Sequence, residues 1–290
     1  MSGYKKFITA GTCILLGIGF LYFLFGGEDN ILKTFGKTNE QIAIIEIDGP
    51  ITNSGHFLKL FRHYSEMNSV KALVLRINSP GGQVGSVQEI YEELKKIRKK
   101  GKKVVASFGD VAASGGYYIA CGSDKIVSNP GTLTGSIGVI MQFANFEDLI
   151  KKVGVDIQVV KSGLHKDIGS PVRKLTEEEQ KILKEVVDDV YDQFIEAVSE
   201  SRGLDKEEVK KYADGRIFSG RQAKKYGLVD NIGNIEDAID IARQISNIRG
   251  VPNVIIQKKP LPAFFDYLSS IFYGKIEGYK NNSLSILYKL

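Results

Sequence analysis

The sequence predicts an α/β domain with a largely parallel sheet, preceded by one N-terminal transmembrane helix. Three observations carry this expectation. From Gln41 onward, short apolar strand signals alternate with helical patterns, the order that builds parallel sheets with helical crossovers. A long helical pattern from Glu177 to Arg202 keeps Ile182, Leu183, Val186, Val190, Phe194 and Val198 on one stripe, so one face is made for burial against a core. Finally, Phe7 to Phe25 is 19 residues without a charge, long enough to cross a hydrocarbon core of about 30 Å at 1.5 Å per residue.

Lys5 and Lys6 precede that apolar segment, and Glu28 and Asp29 follow it. The asymmetry of basic residues leaves the N-terminus in the cytoplasm and everything from Gly26 onward outside it. The stretch is longer than the apolar core of a secretory signal, and no A-x-A site follows, which favours an uncleaved anchor. Residues 1–25 are therefore read as a cytoplasmic stub and membrane anchor, 26–40 as a linker and 41–250 as the folded domain. Residues 251–290 form a hydrophobic and aromatic tail of open role, read as packed on the domain or on a neighbouring subunit in preference to an interfacial membrane contact.

Within the domain, Ile42–Ile47 reads as a buried strand ended by Asp48-Gly49-Pro50, and Lys71–Ile77 as a second. Val87, Ile90, Tyr91, Leu94 and Ile97 recur at helical spacing until Gly101 stops the pattern. Lys103–Phe108 is the third strand, and Ser114–Cys121 a short helix. Further strands are expected at Lys125–Val127, Ile137–Met141 and Asp156–Lys161. Thr176 with Glu179 forms a capping box at the start of the long helix. Helices follow at 205–213, 219–226 and 235–248.

Composition bounds the rest. The chain has 290 residues, 43% hydrophobic and 25% charged, with only 7 prolines, which excludes disordered, collagen-like and multi-span chains. The net charge of +5 is spread among interleaved lysines and glutamates. The densest basic run, Lys95 to Lys103, ends a helix, where cations favour the dipole. No aromatic residue interleaves it for base stacking, so no nucleic-acid partner is expected. Cys13 and Cys121 are too differently placed to pair, and no cysteine–histidine spacing suits zinc.

Two segments carry candidate chemistry. Gly109-Asp110-Val111-Ala112-Ala113-Ser114-Gly115-Gly116 follows a strand and opens a helix. A serine there lies beside free backbone N–H groups, which favour developing negative charge. Asn78-Ser79-Pro80-Gly81-Gly82 also joins a strand to a helix start, and its glycines offer a second donor. Either turn alone is as well explained by tight strand-to-helix geometry; side by side on successive parallel strands, they point to a site. The base is not settled by the residues. Of the three histidines, His56 and His63 stand in segments without a motif, and His165 directly precedes Lys166. A lysine serves as base only when burial populates its neutral amine.

The run Gly109–Ala120, the Asn78–Gly82 turn before it, and Lys166-Asp167-Ile168-Gly169-Ser170-Pro171 after it closely resemble the signal peptide peptidase A family. Gly215-Arg216-Ile217-Phe218-Ser219-Gly220 through Gly227-Leu228-Val229-Asp230 matches a further pattern of that family. The resemblance spans roughly residues 42–243 and looks like the short, single-domain form. It implies a crotonase/Clp-protease-like fold of stacked parallel sheets and a membrane serine peptidase with a Ser/Lys dyad. Ser114 then matches the nucleophile, Lys166 the buried general base, and the N–H groups of Gly81 and Gly115 the oxyanion donors. Ser136 matches a hydroxyl that orients the lysine. The resemblance further implies peptide substrates, above all cleaved signal peptides, a homo-oligomer, and no cofactor or metal. Three alternatives stay open: a related peptidase acting on a stomatin-like membrane protein, a crotonase-like acyl-CoA enzyme, and an inactive membrane scaffold.

Overall fold

The computed structural model describes residues 37–256 and 287–289. The expected membrane segment at 7–25, its linker as far as residue 36, and most of the tail lie outside the described residues. Among the described residues, no helix is long and apolar enough to cross a membrane.

The chain runs through β1 (Lys37–Asp48), α1 (Gly55–Glu66), β2 (Val70–Ser79), β3 (Gly81–Gln83), α2 (Val84–Lys99) and β4 (Lys103–Ala113). It continues with α3 (Gly115–Ala120), β5 (Lys125–Ser128), β6 (Leu133–Gly135), α4 (Glu147–Lys152) and α5 (Glu177–Arg202). The last described elements are α6 (Lys206–Lys210), β7 (Ile217–Ser219), α7 (Gly220–Lys225), β8 (Asn231–Ile232), α8 (Ile235–Ile245), β9 (Val251–Ile256) and β10 (Leu287–Lys289).

Eight of the strands form one sheet in the order β7-β6-β4-β2-β1-β9, with β5 attached beside β4 and β8 beside β5. Every pairing in it is parallel except β6 with β7. Buried parallel strands need apolar cover on both faces, and the alternation along β2 supplies it. Leu73, Leu75 and Ile77 pack with α2, α3 and α5, whereas Ala72 and Val74 pack with Ala238 and Ala242 of α8. The α/β class and the largely parallel sheet are as the sequence predicts, with one antiparallel edge. β9, which begins just past residue 250, joins the sheet beside β1.

α5 starts and ends where the sequence places it, with Thr176 and Glu179 making the reciprocal capping box and Gly203 closing the helix at φ 64°. Two strand expectations need correction. Over 137–141 there is no strand; β6 lies earlier and is ended by positive φ at Gly135 (79°) and Ser136 (48°). Among the described residues, 156–161 pair with no strand, and Val155, Ile157 and Val159 are exposed in the single chain. Helix α1 went unread, although Phe57, Leu60, Phe61 and Tyr64 follow helical spacing; no side chain caps its start.

β4 shapes the site. Its first half pairs with β5 at Val105–Ser107 and its second half with β6 at Val111–Ala113. Against β2 the register jumps from Ile77↔Phe108 to Ser79↔Ala112, so one residue of β2, Asn78, faces three of β4. The Asn78 side chain fills this bulge, accepting from Val111 N–H (3.2 Å) and donating to Asp48 (3.0 Å).

Candidate active site

Ser114 follows the last residue of β4 and adopts φ 50°, ψ −116°. A non-glycine residue held in such a region costs of the order of 1–3 kcal/mol and persists only where its surroundings over-determine it. They do so here. Its N–H donates to Gly135 O (2.8 Å), and its carbonyl accepts from Tyr118 N–H (2.9 Å). The residue is fully buried, and its Oγ has no hydrogen-bond partner in the structure. Leaving a buried hydroxyl unpaired costs about 1–3 kcal/mol more. Both features cost stability.

The glycine turns meet at this serine. A Cβ on Gly116 would lie 2.8 Å from Ser79 O, so only glycine lets the start of α3 press against the end of β2. Gly115 occupies the first position of α3, where a helix leaves its N–H groups without internal acceptors. Across from it, Gly81 has φ 106° and donates its N–H to Ser79 Oγ (3.1 Å). Ser136 directly follows the residue that receives the Ser114 N–H; it is buried and donates its own N–H to Arg216 O (2.8 Å). The structure thus gathers Ser114, Gly115, Gly81 and Ser136 around one point.

A peptide strand already lies against this point. Leu287–Lys289 pairs antiparallel with β3, Lys289 opposite Gly81 and Leu287 opposite Gln83, and also contacts α3. The edge of β3 therefore accepts an extended backbone. Beyond Ser136 opens a cleft of about 560 Å3 lined by Val139, Ile140, Val187, Tyr191 and Ala213, with Asp188 and Asp214 at its polar positions.

Lys166 is placed differently from the expectation of a buried base. It lies in the turn following Gly163 and is exposed in the single chain. The turn is packed from below: a Cβ on Gly169, at φ 77°, would strike the Phe143 ring at 2.4 Å. Asp167 does not reach for the neighbouring lysine. It binds Lys161 (2.6 Å) and takes two bonds from Arg173 (2.8 Å each), which hold its carboxyl well below the usual carboxylate range. His165 Nε2 is 3.7 Å from Glu178, and His56 and His63 are exposed on α1. Arg173 is the charged residue here that motif reading missed. No helix or strand spans the six residues that separate it from Asp167 or from Glu179, so no periodicity links them.

Among the described residues, no group of three or more His, Cys, Asp or Glu is placed to hold a metal ion. Cys121 is buried, and burial pushes its thiol up to about 12, which removes it as a nucleophile at neutral pH.

A strained, buried serine between two glycine turns on a parallel α/β sheet defines a serine-type hydrolase scaffold, and comparison with known proteins gives it a family. The model of peptidase family S49 matches residues 96–249, and that of Clp protease matches residues 37–132. Over 214 residues the chain is 48% identical to "Putative protease slr0021" of Synechocystis sp., covering 73% of this chain and 76% of that one. It is 39% identical over 246 residues to "Putative signal peptide peptidase SppA" of Enterococcus faecium, covering 80% and 71%. With "Protease 4" of Haemophilus influenzae it shares 37% over 220 residues, 72% of this chain but 35% of that longer one. The chain belongs to peptidase family S49 and is a serine peptidase.

Proposed function

We propose that the protein is a membrane-anchored serine endopeptidase that degrades membrane-derived peptides, chiefly cleaved signal peptides, through an acyl-enzyme on Ser114. The observation that carries this reading is the unpartnered Ser114 Oγ at a strained φ beside β3, whose edge takes an antiparallel peptide strand. A substrate added to that edge in the same way runs its backbone past Gly81. Its scissile carbonyl then faces the N–H groups of Gly81 and Gly115, which stabilise the tetrahedral oxyanion. The Gly81 N–H exchanges its Ser79 bond for the substrate.

In this cycle Lys166, as the neutral amine, accepts the Ser114 proton as Oγ attacks. It then protonates the leaving amine and activates the water that clears the acyl group. Ser136 orients the lysine. The amine needs a dry setting, and the single chain leaves it exposed; association into a homo-oligomer supplies the missing cover. The apolar cleft beyond Ser136 suits the side chains of hydrophobic peptides. Residues 7–25 anchor the chain with the catalytic domain outside the cytoplasm.

The test is peptide-library cleavage by the full chain in membranes or detergent. Wild type is expected to cleave hydrophobic peptides and to take up a serine-reactive probe. Ser114→Ala should do neither, and Lys166→Ala should abolish turnover while His165→Ala keeps most of it. Equal probe labelling of wild type and Ser114→Ala would sink the reading, and loss with His165→Ala alone would reassign the base.

A further inference from the structure

The Lys166 turn is held by an ionic clamp of unusual completeness. Arg173 donates Nε to Asp167 Oδ2 (2.8 Å) and Nη2 to Asp167 Oδ1 (2.8 Å), and a third bond reaches the Asp167 carbonyl (3.2 Å). The same guanidinium grips Glu179, Nη1 to Oε2 (2.8 Å) and Nη2 to Oε1 (2.5 Å). Glu179 is only 3% exposed and also accepts from Thr176 N–H (3.0 Å), as the capping box of α5 requires. Paired planar forks of this kind fix orientation as well as charge. Arg173 thus welds the residue after Lys166 to the start of the longest described helix.

We propose that Arg173 is a positioning residue for Lys166, holding the Asp167 carboxylate away from the lysine amine and fixing the turn that carries it. The inference rests on the Ser114/Lys166 reading and deepens it. An aspartate directly after a lysine base is a hazard, because a free carboxylate favours the ammonium and removes the base. Here both Asp167 oxygens are occupied by cations, Arg173 and Lys161. Of the other charges near the turn, Glu178 of α5 faces His165, Glu147 of α4 holds Lys151 and the Lys174 N–H, and Asp156 accepts from Gln158 (3.4 Å). Glu177 and Lys181 of α5 line the cleft beside His165 and Arg173.

The experiment is the pH dependence of kcat/KM for Arg173→Met, Asp167→Asn and the double variant, on a hydrophobic peptide with the full chain. Arg173→Met leaves the Asp167 carboxylate held by Lys161 alone, so the acidic limb is expected to move up by about one pH unit, roughly tenfold in rate below the limb. In the double variant the Asp167 carboxylate is gone while Glu179 has lost Arg173 just as in Arg173→Met, so the limb should return to the wild-type position even though the clamp is gone. Circular dichroism and thermal midpoints report whether each variant is folded. A merely structural arginine would cost rate in both variants without moving the limb, and that result overturns the proposal. So does a limb that stays shifted in the double variant. The two readings fail separately: turnover by Lys166→Ala removes the dyad itself, whereas inactive Lys166→Ala with an unmoved Arg173→Met limb removes only the clamp.

Discussion

At the scale of residues, the site depends on charges that never meet substrate. Tyr117 of α3, three residues after Ser114, is fully buried and donates its hydroxyl to Leu228 O (2.7 Å). The turn bearing Leu228 is braced in its turn. Arg202, at the end of α5, donates to Gly227 O and to Asp230 (both 2.8 Å), and Asp230 also accepts from Ile126 N–H (2.8 Å). Burial works against ionised Asp230, but the Arg202 guanidinium outweighs it and leaves the carboxyl below its ordinary value of 3.8. Removing one partner of such a buried pair strands the other, at a cost of about 3 kcal/mol. Asp230→Asn should therefore lower the urea midpoint clearly at pH 7. The sign of the pH effect follows from the depressed value. The contribution is complete above the unfolded value near 3.8 and vanishes as pH falls through the lower folded value. The stability gap between wild type and Asp230→Asn should shrink steadily below pH 4; a gap as wide in strong acid as at pH 7 would show that ionisation plays no part.

At the scale of elements, β3 is the piece on which the proposed peptide binding turns. Only three residues long, it is pinned from the other side, with Ile51 N–H donating to Gly81 O (2.9 Å) and Gln83 N–H to Ile51 O (2.8 Å). A Cβ on Gly82 would come within 2.0 Å of Ile51 O, so the strand lies flat against its neighbour and presents its free edge. β10 uses that edge, and a substrate strand bound there as proposed would compete with it. Replacing residues 287–289 by Gly-Ser-Gly should raise kcat/KM for short peptides several-fold without changing the thermal midpoint much; an unchanged rate would place peptide binding elsewhere. The pairing was not legible in the sequence, because a three-residue strand has no period to read. By contrast, α5 was legible to its ends, since its cap, stripe and closing glycine are all local signals. The Ser114 and Gly81 turns were legible as glycine-flanked strand ends. What failed were the strands at 137–141 and 156–161. The first was displaced by two consecutive positive φ values that no apolar pattern reveals, and the second has strand periodicity but no partner strand.

That unpartnered periodicity belongs to the whole molecule. Single exposed hydrophobics are ordinary on any surface; a run of them along one stretch of chain is less so. Leu149, Val153, Val155, Ile157 and Val159 are each about half exposed, and Val160 is completely so. They lie on the same stretch of chain as Lys166, between the Ser136 turn and α5. On the proposed reading, a second copy covering this stretch would exclude water from the Lys166 amine and from the bare apolar surface at once. Assembly and catalysis should then fail together. Val159→Asp with Val160→Asp puts two charges where a neighbour would have to desolvate them, yet both sites are exposed in the single chain, so the fold should survive with an unchanged thermal midpoint. Sedimentation is expected to shift toward the monomer, and turnover to fall at least tenfold with it. A variant that stays assembled and fully active would clear this stretch of any interface role. A monomeric variant with undiminished turnover would show that Lys166 finds its dry setting within one chain.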